Sequence, residues 1–255
     1  MNDGGVSATI DGSIATITFS RPPVNALDRL RIVAIEERIR EVSRRRDVKL
    51  IALAGQGSDF SGGTDIGEHR KGQVEGLLKA FHSLIRLLLT LEVPTAALIQ
   101  GRALGGGAEL ALACDFVFAE TTASIGFPEI RLGIFPPVAS VLLERRIGRT
   151  KAADLILCGA AMTAEAAEKR GLVNALVNPG DLINAVETMR ERLDSFSAST
   201  LRLAKRALSQ GASGDHLSAL AAVERTYLND LLKTEDAQEG IDAFMEKRGP
   251  VWKNR

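Results

Sequence analysis

The segment G-R-A-L-G-G-G-A-E-L-A-L-A-C-D, residues 101–115, is the stretch around which this chain can be interpreted. The preceding residues 94–100 (P-T-A-A-L-I-Q) are predicted to form a short buried strand, and a tightly packed helix is predicted from residue 109. Three consecutive glycines cost backbone entropy, so we expect something to approach the backbone closely here. Free N–H groups at a helix N-terminus favour a negatively charged oxygen. A plain turn with close helix packing is the alternative explanation.

A second glycine-rich turn, Q-G-S-D-F-S-G-G-T-D at residues 56–65, follows another predicted buried strand. One backbone N–H from each turn could converge on a single oxygen, which is how an oxyanion hole stabilises charge on a carbonyl. Two glutamates accompany the turns, because Glu109 follows the glycines and Glu129 lies in the apolar loop F-P-E-I-R-L-G. Apolar surroundings raise the pKa of a carboxyl group, so such a pair suits acid–base chemistry. Each glutamate taken alone would ordinarily be a solvated or capping residue.

The composition is that of a folded globular protein, with 45% hydrophobic and 25% charged residues among 255. The 32 basic and 32 acidic residues cancel, which argues against a surface for nucleic acid or anionic membrane. The two cysteines, Cys114 and Cys158, lie in apolar segments and are expected to be core residues in a reducing cytoplasm. The N-terminus, M-N-D-G-G-V, shows no leader peptide, and no apolar run is long enough to span a bilayer.

The periodicity of apolar residues predicts strands alternating with helices up to about residue 180, and helices alone beyond that point. The α/β part is predicted from a hairpin at 6–10 and 14–19, helices at 28–44, 76–91, 139–147 and 150–158, and strands at 50–54, 94–100, 116–119 and 172–177. The later helices are predicted at 181–194, 198–210, 214–232 and 235–247. This order predicts an α/β core, residues 1–195, with a C-terminal helical extension, residues 196–255.

Rival catalytic patterns are weak in this sequence. No H-E-x-x-H or Cys/His spacing suggests a metal site, and no G-x-S-x-G turn suggests a serine hydrolase. Ser61 precedes two glycines, but no histidine is placed to activate it. The glycines do not form a G-x-G-x-x-G dinucleotide motif. We therefore expect neither a metal nor a redox cofactor.

Four stretches together resemble the crotonase (enoyl-CoA hydratase/isomerase) superfamily over nearly the whole chain. They are R-P-P-V-N-A-L at 21–27, D-F-S-G-G-T-D-I at 59–66, the glycine segment at 101–115 and G-F-P-E-I-R-L-G at 126–133. The stretch F-M-E-K-R at 244–248 is also similar to the family's C-terminus. The resemblance implies a crotonase-like spiral of ββα units with a C-terminal all-helical trimerisation region. It also implies an acyl-CoA substrate, no cofactor beyond the coenzyme A of that substrate, and a homotrimer or dimer of trimers.

The resemblance also implies roles for individual residues. Gly62 and Gly106 would supply the oxyanion-hole amides, and Glu109 and Glu129 the acid–base pair. Because isomerases of the family commonly lack one of these carboxylates, the pair favours hydration. An enoyl-CoA isomerase, or a non-catalytic CoA-binding or RNA-binding member of the fold, is the alternative. The residues implied to bind substrate are Val24, Ala26, Gly63, Thr64, Asp65, Ile66, Gly105, Pro137, Phe244 and Lys247.

Two departures from the family pattern are visible. Pro137 stands where typical hydratases have a glycine whose N–H helps to hold the catalytic water, and proline has no N–H. This loop, with the stretches at 196–206 and 246–252, is similar to the cyclic dienoyl-CoA (cyclohexa-1,5-diene-1-carbonyl-CoA) hydratase branch of aromatic degradation. The second departure is Gly62-Gly63-Thr64 in place of the commoner Ala-Gly-Ala, which is expected to loosen the loop.

Overall fold

The computed structural model describes residues 5–70, 72–212 and 216–255. Its main sheet has six strands in the order β1-β2-β3-β4-β6-β9, and only the β1–β2 hairpin is antiparallel. A second sheet has three strands in the order β5-β7-β8. The strands are β1 (Val6–Asp11), β2 (Ile14–Phe19), β3 (Leu50–Gly55), β4 (Thr95–Ile99), β5 (Arg102–Leu104), β6 (Phe116–Glu120), β7 (Ser124–Gly126), β8 (Ala161–Thr163) and β9 (Ala175–Val177).

The α-helices lie between and after these strands. They are α1 (Arg29–Ser43), α2 (Val74–Thr90), α3 (Gly106–Leu112), α4 (Pro137–Ile147), α5 (Arg149–Leu157), α6 (Ala164–Lys169), α7 (Leu182–Asp194), α8 (Ala198–Gly211), α9 (His216–Asn229) and α10 (Glu235–Met245). Short 3₁₀ helices occupy Ile66–His69, Pro128–Leu132 and Leu231–Lys233. None of the helices in the described ranges is long and apolar enough to cross a membrane.

The main sheet is buried on both faces, which explains why its central strands are almost uniformly apolar. On one face, alternate residues such as Ile17 and Leu53 join the large core together with α1 and α2. On the other face, Leu50 and Leu98 pack against Val186 and other residues of α7. The helices on each side follow from the parallel crossovers, and they place the glycine turns at the carboxyl ends of β3 and β4.

The C-terminal helices are attached to the core through a buried lysine. Lys205 on α8 is 6% exposed, and its Nζ lies 2.6 Å from Asp115 Oδ2 and donates to the Val93 carbonyl at 2.9 Å. Asp115 also accepts from the Thr95 amide at 2.7 Å. The last residue of the glycine segment therefore joins β4 to the extension, and the charge of Lys205 is paired as burial requires.

The structure confirms the α/β class and the helical C-terminal region, with boundary shifts of a few residues. It adds β5 and β8, which are too short for a periodic signal, and a 3₁₀ helix where a plain loop was expected at 128–132. The core position predicted for Cys158 is wrong, since Cys158 is exposed at the end of α5 while Cys114 is buried. The predicted start of the helix at 214–215 and residues 1–4 lie outside the described residues.

Candidate active site

The two glycine turns meet through the short strand β5. The Ser61 amide donates to the Arg102 carbonyl at 2.9 Å, and the Leu104 amide donates back to the Ser61 carbonyl at 2.9 Å. The Ser61 hydroxyl is fully buried and donates to the Asn25 carbonyl at 2.8 Å. Ser61 therefore connects backbone segments, which supports the rejection of a serine nucleophile. The arrangement brings residues 62–64 beside the N-terminus of α3.

The prediction that Gly62 provides an oxyanion-hole amide is wrong. The Gly62 N–H donates to the Val24 carbonyl at 2.7 Å, so it has no free hydrogen for a ligand. The Gly63 N–H is also engaged, by the Ser61 hydroxyl at 3.1 Å. The next amide, that of Thr64, lies beside Gly106, because a Cβ built on Gly106 would be 3.1 Å from Thr64 N. Within the described part of the chain, the Thr64 and Gly106 amides donate to no protein acceptor.

Glu109 is held by the N-terminus of α4. It lies in the first turn of α3, is only 3% exposed, and its Oε1 accepts from the Val138 amide at 2.8 Å and the Ala139 amide at 2.9 Å. Burial raises the pKa of Glu109 to about 7, although the two amide bonds lower it and the neighbouring charge of Glu129 raises it further. Glu109 therefore exchanges its proton near neutral pH from a fixed position.

Glu129 is presented by the 3₁₀ helix Pro128–Leu132, which follows the fully buried Phe127. Its Oε1 lies where a side chain at residue 105 would be, since a Cβ built on Gly105 would be 2.6 Å away. Gly105 also has a φ of 50°, a conformation that favours glycine, and a side chain at this position would displace the Glu129 carboxyl group. Glu129 Oε2 is buried without a hydrogen-bond partner among the described residues. Burial raises the pKa of Glu129, and a hydrogen bond from its own backbone amide opposes that rise.

Two adjoining cavities share Glu129 in their lining, and one of them is also lined by Glu109. The glycine-lined cavity, about 320 Å³, is bounded by Gly62, Gly63, Thr64, Ile66, His69, Gly105, Gly106, Pro128, Glu129, Leu132 and Ile134. The apolar cavity, about 240 Å³, is bounded by Thr64, His69, Val74, Leu78, Phe81, Glu109, Glu129, Gly133, Ile134, Phe135 and Pro137. Thr64, His69, Glu129 and Ile134 line both. A ligand lying across the two would pass the free amides first and the carboxyl pair next.

Five of the residues expected to bind substrate do not line these cavities. Val24 packs behind Gly62, and Asp65 forms an ion pair with Arg21 and caps the following 3₁₀ helix. The remaining three are Ala26, which is half-buried, and Phe244 and Lys247, at the exposed end of the chain's last helix.

Several cavity residues were not predicted from the sequence. Val74, Leu78 and Phe81 come from one face of α2, and the apolar periodicity of that helix indicated only that some face was buried. The amides that hold Glu109 carry no side-chain signal at all. No group of histidine, cysteine or carboxylate side chains within 5–70, 72–212 and 216–255 is arranged to hold a metal ion.

The sequence and the fold of this chain are similar to those of known enoyl-CoA hydratases. The profile of the Enoyl-CoA hydratase/isomerase family matches residues 9–255. The chain is 36% identical over 245 residues to the cyclohexa-1,5-dienecarbonyl-CoA hydratase of Thauera aromatica, covering 96% of this chain and 95% of that protein. It is 33% identical to the short-chain-enoyl-CoA hydratase of Clostridium acetobutylicum, covering 93% of each. The crystal structure of an enoyl-CoA hydratase from Bacillus anthracis superimposes with a TM-score of 0.92 at 30% identity, covering 98% of this chain and 100% of that one.

Proposed function

The chain belongs to the enoyl-CoA hydratase/isomerase family, and from that premise we propose that it adds water to the α,β double bond of an acyl-CoA thioester. The observation that carries the proposal is the pair of carboxyl groups that face one apolar cavity, those of the buried Glu109 and the half-buried Glu129. Hydration needs one group to take a proton from water and another to deliver a proton to carbon. The relatives named as hydratases support the same reaction class.

The thioester oxygen would lie between the amides of Thr64 and Gly106. Attack of water at the β-carbon moves charge to this oxygen, and two preorganised N–H groups would stabilise the enolate as it forms. Gly106 begins α3, so its amide also carries the positive end of the helix dipole. Thr64 therefore replaces Gly62 as the proposed partner of Gly106.

The hydrogen bonds favour a division of roles within the carboxyl pair. Two amides hold the Glu109 carboxyl group in a fixed position at the start of α4, whereas the buried Glu129 Oε2 has no hydrogen-bond partner among the described residues and is free to meet a substrate. Glu109 would therefore take the proton from water, and Glu129 would protonate the carbon.

Pro137 changes how the catalytic water is held. It occupies the first position of α4, where a missing N–H costs little, and the next two amides are used by Glu109. No amide of the first α4 turn is then left to bind water at residues 137–139. We infer that the water is held by the two carboxyl groups themselves, with Pro137 closing one side of the apolar cavity.

The acyl group that we propose to test first is a cyclic dienoyl group. Similarity to the Thauera aromatica protein supports it, as does the apolar lining provided by Phe81, Ile134 and Phe135. We expect coenzyme A as part of the substrate, no separate cofactor and no nucleic-acid partner. A cytoplasmic location stays a prediction from the cysteine usage.

We also propose that the region after residue 195 assembles the chain into a homotrimer or a dimer of trimers. Large apolar side chains are exposed along it, which is typical of an interaction surface. In the described part of this region they are Phe196, Leu208, Leu220, Tyr227, Leu228, Leu232, Ile241, Phe244, Met245 and Val251. Phe244 is 82% exposed, and Phe244 and Lys247 would complete the substrate site only across a subunit boundary.

The test is hydration of crotonyl-CoA and of cyclohexa-1,5-diene-1-carbonyl-CoA. The reaction is monitored through the loss of enoyl absorbance and through the mass of the product. A mass gain of one water supports hydration, and a product of unchanged mass would instead identify an isomerase. Glu129→Gln is expected to lower kcat by roughly 10²- to 10⁴-fold. Full activity in this variant would refute the proposed role of Glu129.

A further inference from the structure

His69 is a polar residue of the site that the proposed mechanism does not use. It ends the 3₁₀ helix Ile66–His69, directly after the turn that carries Thr64. Its half-buried side chain lines both the glycine-lined and the apolar cavity, as Glu129 does. A ligand that reaches the carboxyl pair must therefore pass the imidazole.

The hydrogen bonds of His69 determine which ring nitrogen faces a ligand as an acceptor. Nδ1 lies 2.9 Å from the Asp65 carbonyl oxygen, and a carbonyl can only accept, so Nδ1 carries the hydrogen. In the neutral ring Nε2 is then an acceptor. Its neighbour is the Thr64 hydroxyl at 3.4 Å, which is a long contact. A donor on a bound molecule can replace this contact with a shorter bond.

Most of the side chains that line the apolar cavity cannot donate a hydrogen bond to Nε2. Apart from the carboxyl pair, Thr64 and the backbone of Gly133, its lining is hydrocarbon or aromatic. These apolar side chains are Val74, Leu78, Phe81, Ile134, Phe135 and Pro137. A purely hydrocarbon acyl group would displace water from Nε2 without replacing the lost hydrogen bond, which is unfavourable.

We propose that His69 is a specificity-determining residue that accepts a hydrogen bond from a hydroxyl on the acyl group. The acyl group, open-chain or cyclic, would carry this hydroxyl beyond the reacting double bond, because His69 and Glu129 line the same two cavities. The inference rests on the proposed function, since it takes the apolar cavity as the acyl site. Among enoyl-CoA thioesters, it predicts a preference for those that carry such a hydroxyl.

The experiment measures binding of two thioesters that cannot be hydrated, butyryl-CoA and 4-hydroxybutyryl-CoA, by calorimetry. The wild-type protein is expected to bind the hydroxylated thioester about three- to tenfold more tightly. His69→Met should abolish this preference, and His69→Gln, which keeps an acceptor, should retain part of it. His82→Met is the matched control, because His82 lines a separate surface groove, and the preference should be unchanged.

Equal affinities in the wild-type protein, or a preference that survives in His69→Met, would overturn the inference. Turnover of crotonyl-CoA and 4-hydroxycrotonyl-CoA, measured alongside, separates this failure from failure of the proposed function. Loss of the preference in His69→Met with no turnover of either thioester would refute hydration while supporting the role of His69. Hydration of both thioesters without a binding preference would refute the role of His69 alone.

Discussion

Replacing Glu109 with Gln is expected to inactivate the protein and, at alkaline pH, to stabilise it. The glutamine oxygen can still accept from the Val138 and Ala139 amides, so the position of the side chain is preserved. What is lost is the ability to ionise, which removes the proposed base and should lower kcat by roughly 10²- to 10⁴-fold. The same loss removes a charge that is buried in the folded state, where Glu109 is 3% exposed.

The size of the stabilisation follows from the pKa of Glu109. Folding raises this pKa from 4.5 to about 7, so the folded state binds the proton more tightly than the unfolded chain. This contribution to stability is fully present below pH 4.5 and is lost as the pH rises through about 7. At about 1.36 kcal/mol per pKa unit, the loss amounts to roughly 3 kcal/mol. The glutamine of Glu109→Gln does not titrate. Above pH 7 the free energy of unfolding of this variant should therefore exceed that of the wild-type protein by up to this amount.

Urea unfolding at fixed protein concentration, near pH 4.5 and near pH 8, measures this difference. The free energies of unfolding should diverge only at the higher pH. Glu191→Gln removes an exposed carboxylate and serves as the control, for which no pH-dependent gap is expected. The expectation would be refuted if the unfolding free energy of Glu109→Gln differed from that of the wild-type protein by the same amount at both pH values. It would also be refuted if the variant were the less stable protein near pH 8.

Three further outcomes are expected. Gly105→Ala should lower kcat at least about tenfold, because its Cβ would displace Glu129 Oε1, which lies 2.6 Å away, and it should destabilise the fold because residue 105 has a φ of 50°; unchanged rates would contradict the first expectation. Lys205→Met should reduce the free energy of urea unfolding by roughly 3 kcal/mol, because it leaves the partly buried Asp115 without its charged partner. The control Lys233→Met, at an exposed lysine, should reduce it by less than about 0.5 kcal/mol. Phe244→Asp should shift the protein from trimer to monomer in analytical ultracentrifugation, and an unshifted trimer would exclude this residue from the interface.

The two glycine turns were identified from the sequence, but the wrong amide was chosen from the first of them. The pattern Ser61-Gly62-Gly63-Thr64 shows that the backbone is exposed to close approach, and any of its amides could in principle face a ligand. The choice depends on the Val24 carbonyl, which is far away in sequence and occupies the Gly62 N–H. Hydrogen bonds between backbone groups leave no trace in side-chain identity, so this contact could not be predicted.

The same limit applied to the carboxyl pair. The apolar neighbours of Glu129 indicated a raised pKa for its carboxyl group. The alanine- and leucine-rich segment around Glu109 is typical of any buried helix and gave no such indication. The Glu109 pKa of about 7 results from burial opposed by two amides of α4, an element that begins 28 residues later. Likewise nothing in the sequence indicated that His69 belongs to the site, because only the 3₁₀ helix Ile66–His69 places it in the lining of both cavities.

The amino-acid sequence by itself determined the class of fold, the order of the main-sheet strands and the longer helices, the two glycine turns and the two glutamates, because these depend on local periodicity and on residue chemistry. The tertiary structure alone decided which amides remain free, which oxygen of each carboxyl group is bonded, and which side chains share a cavity. Those properties depend on contacts between segments that are distant in the chain. Burial and hydrogen bonding at such contacts set the proton affinities on which the chemistry relies.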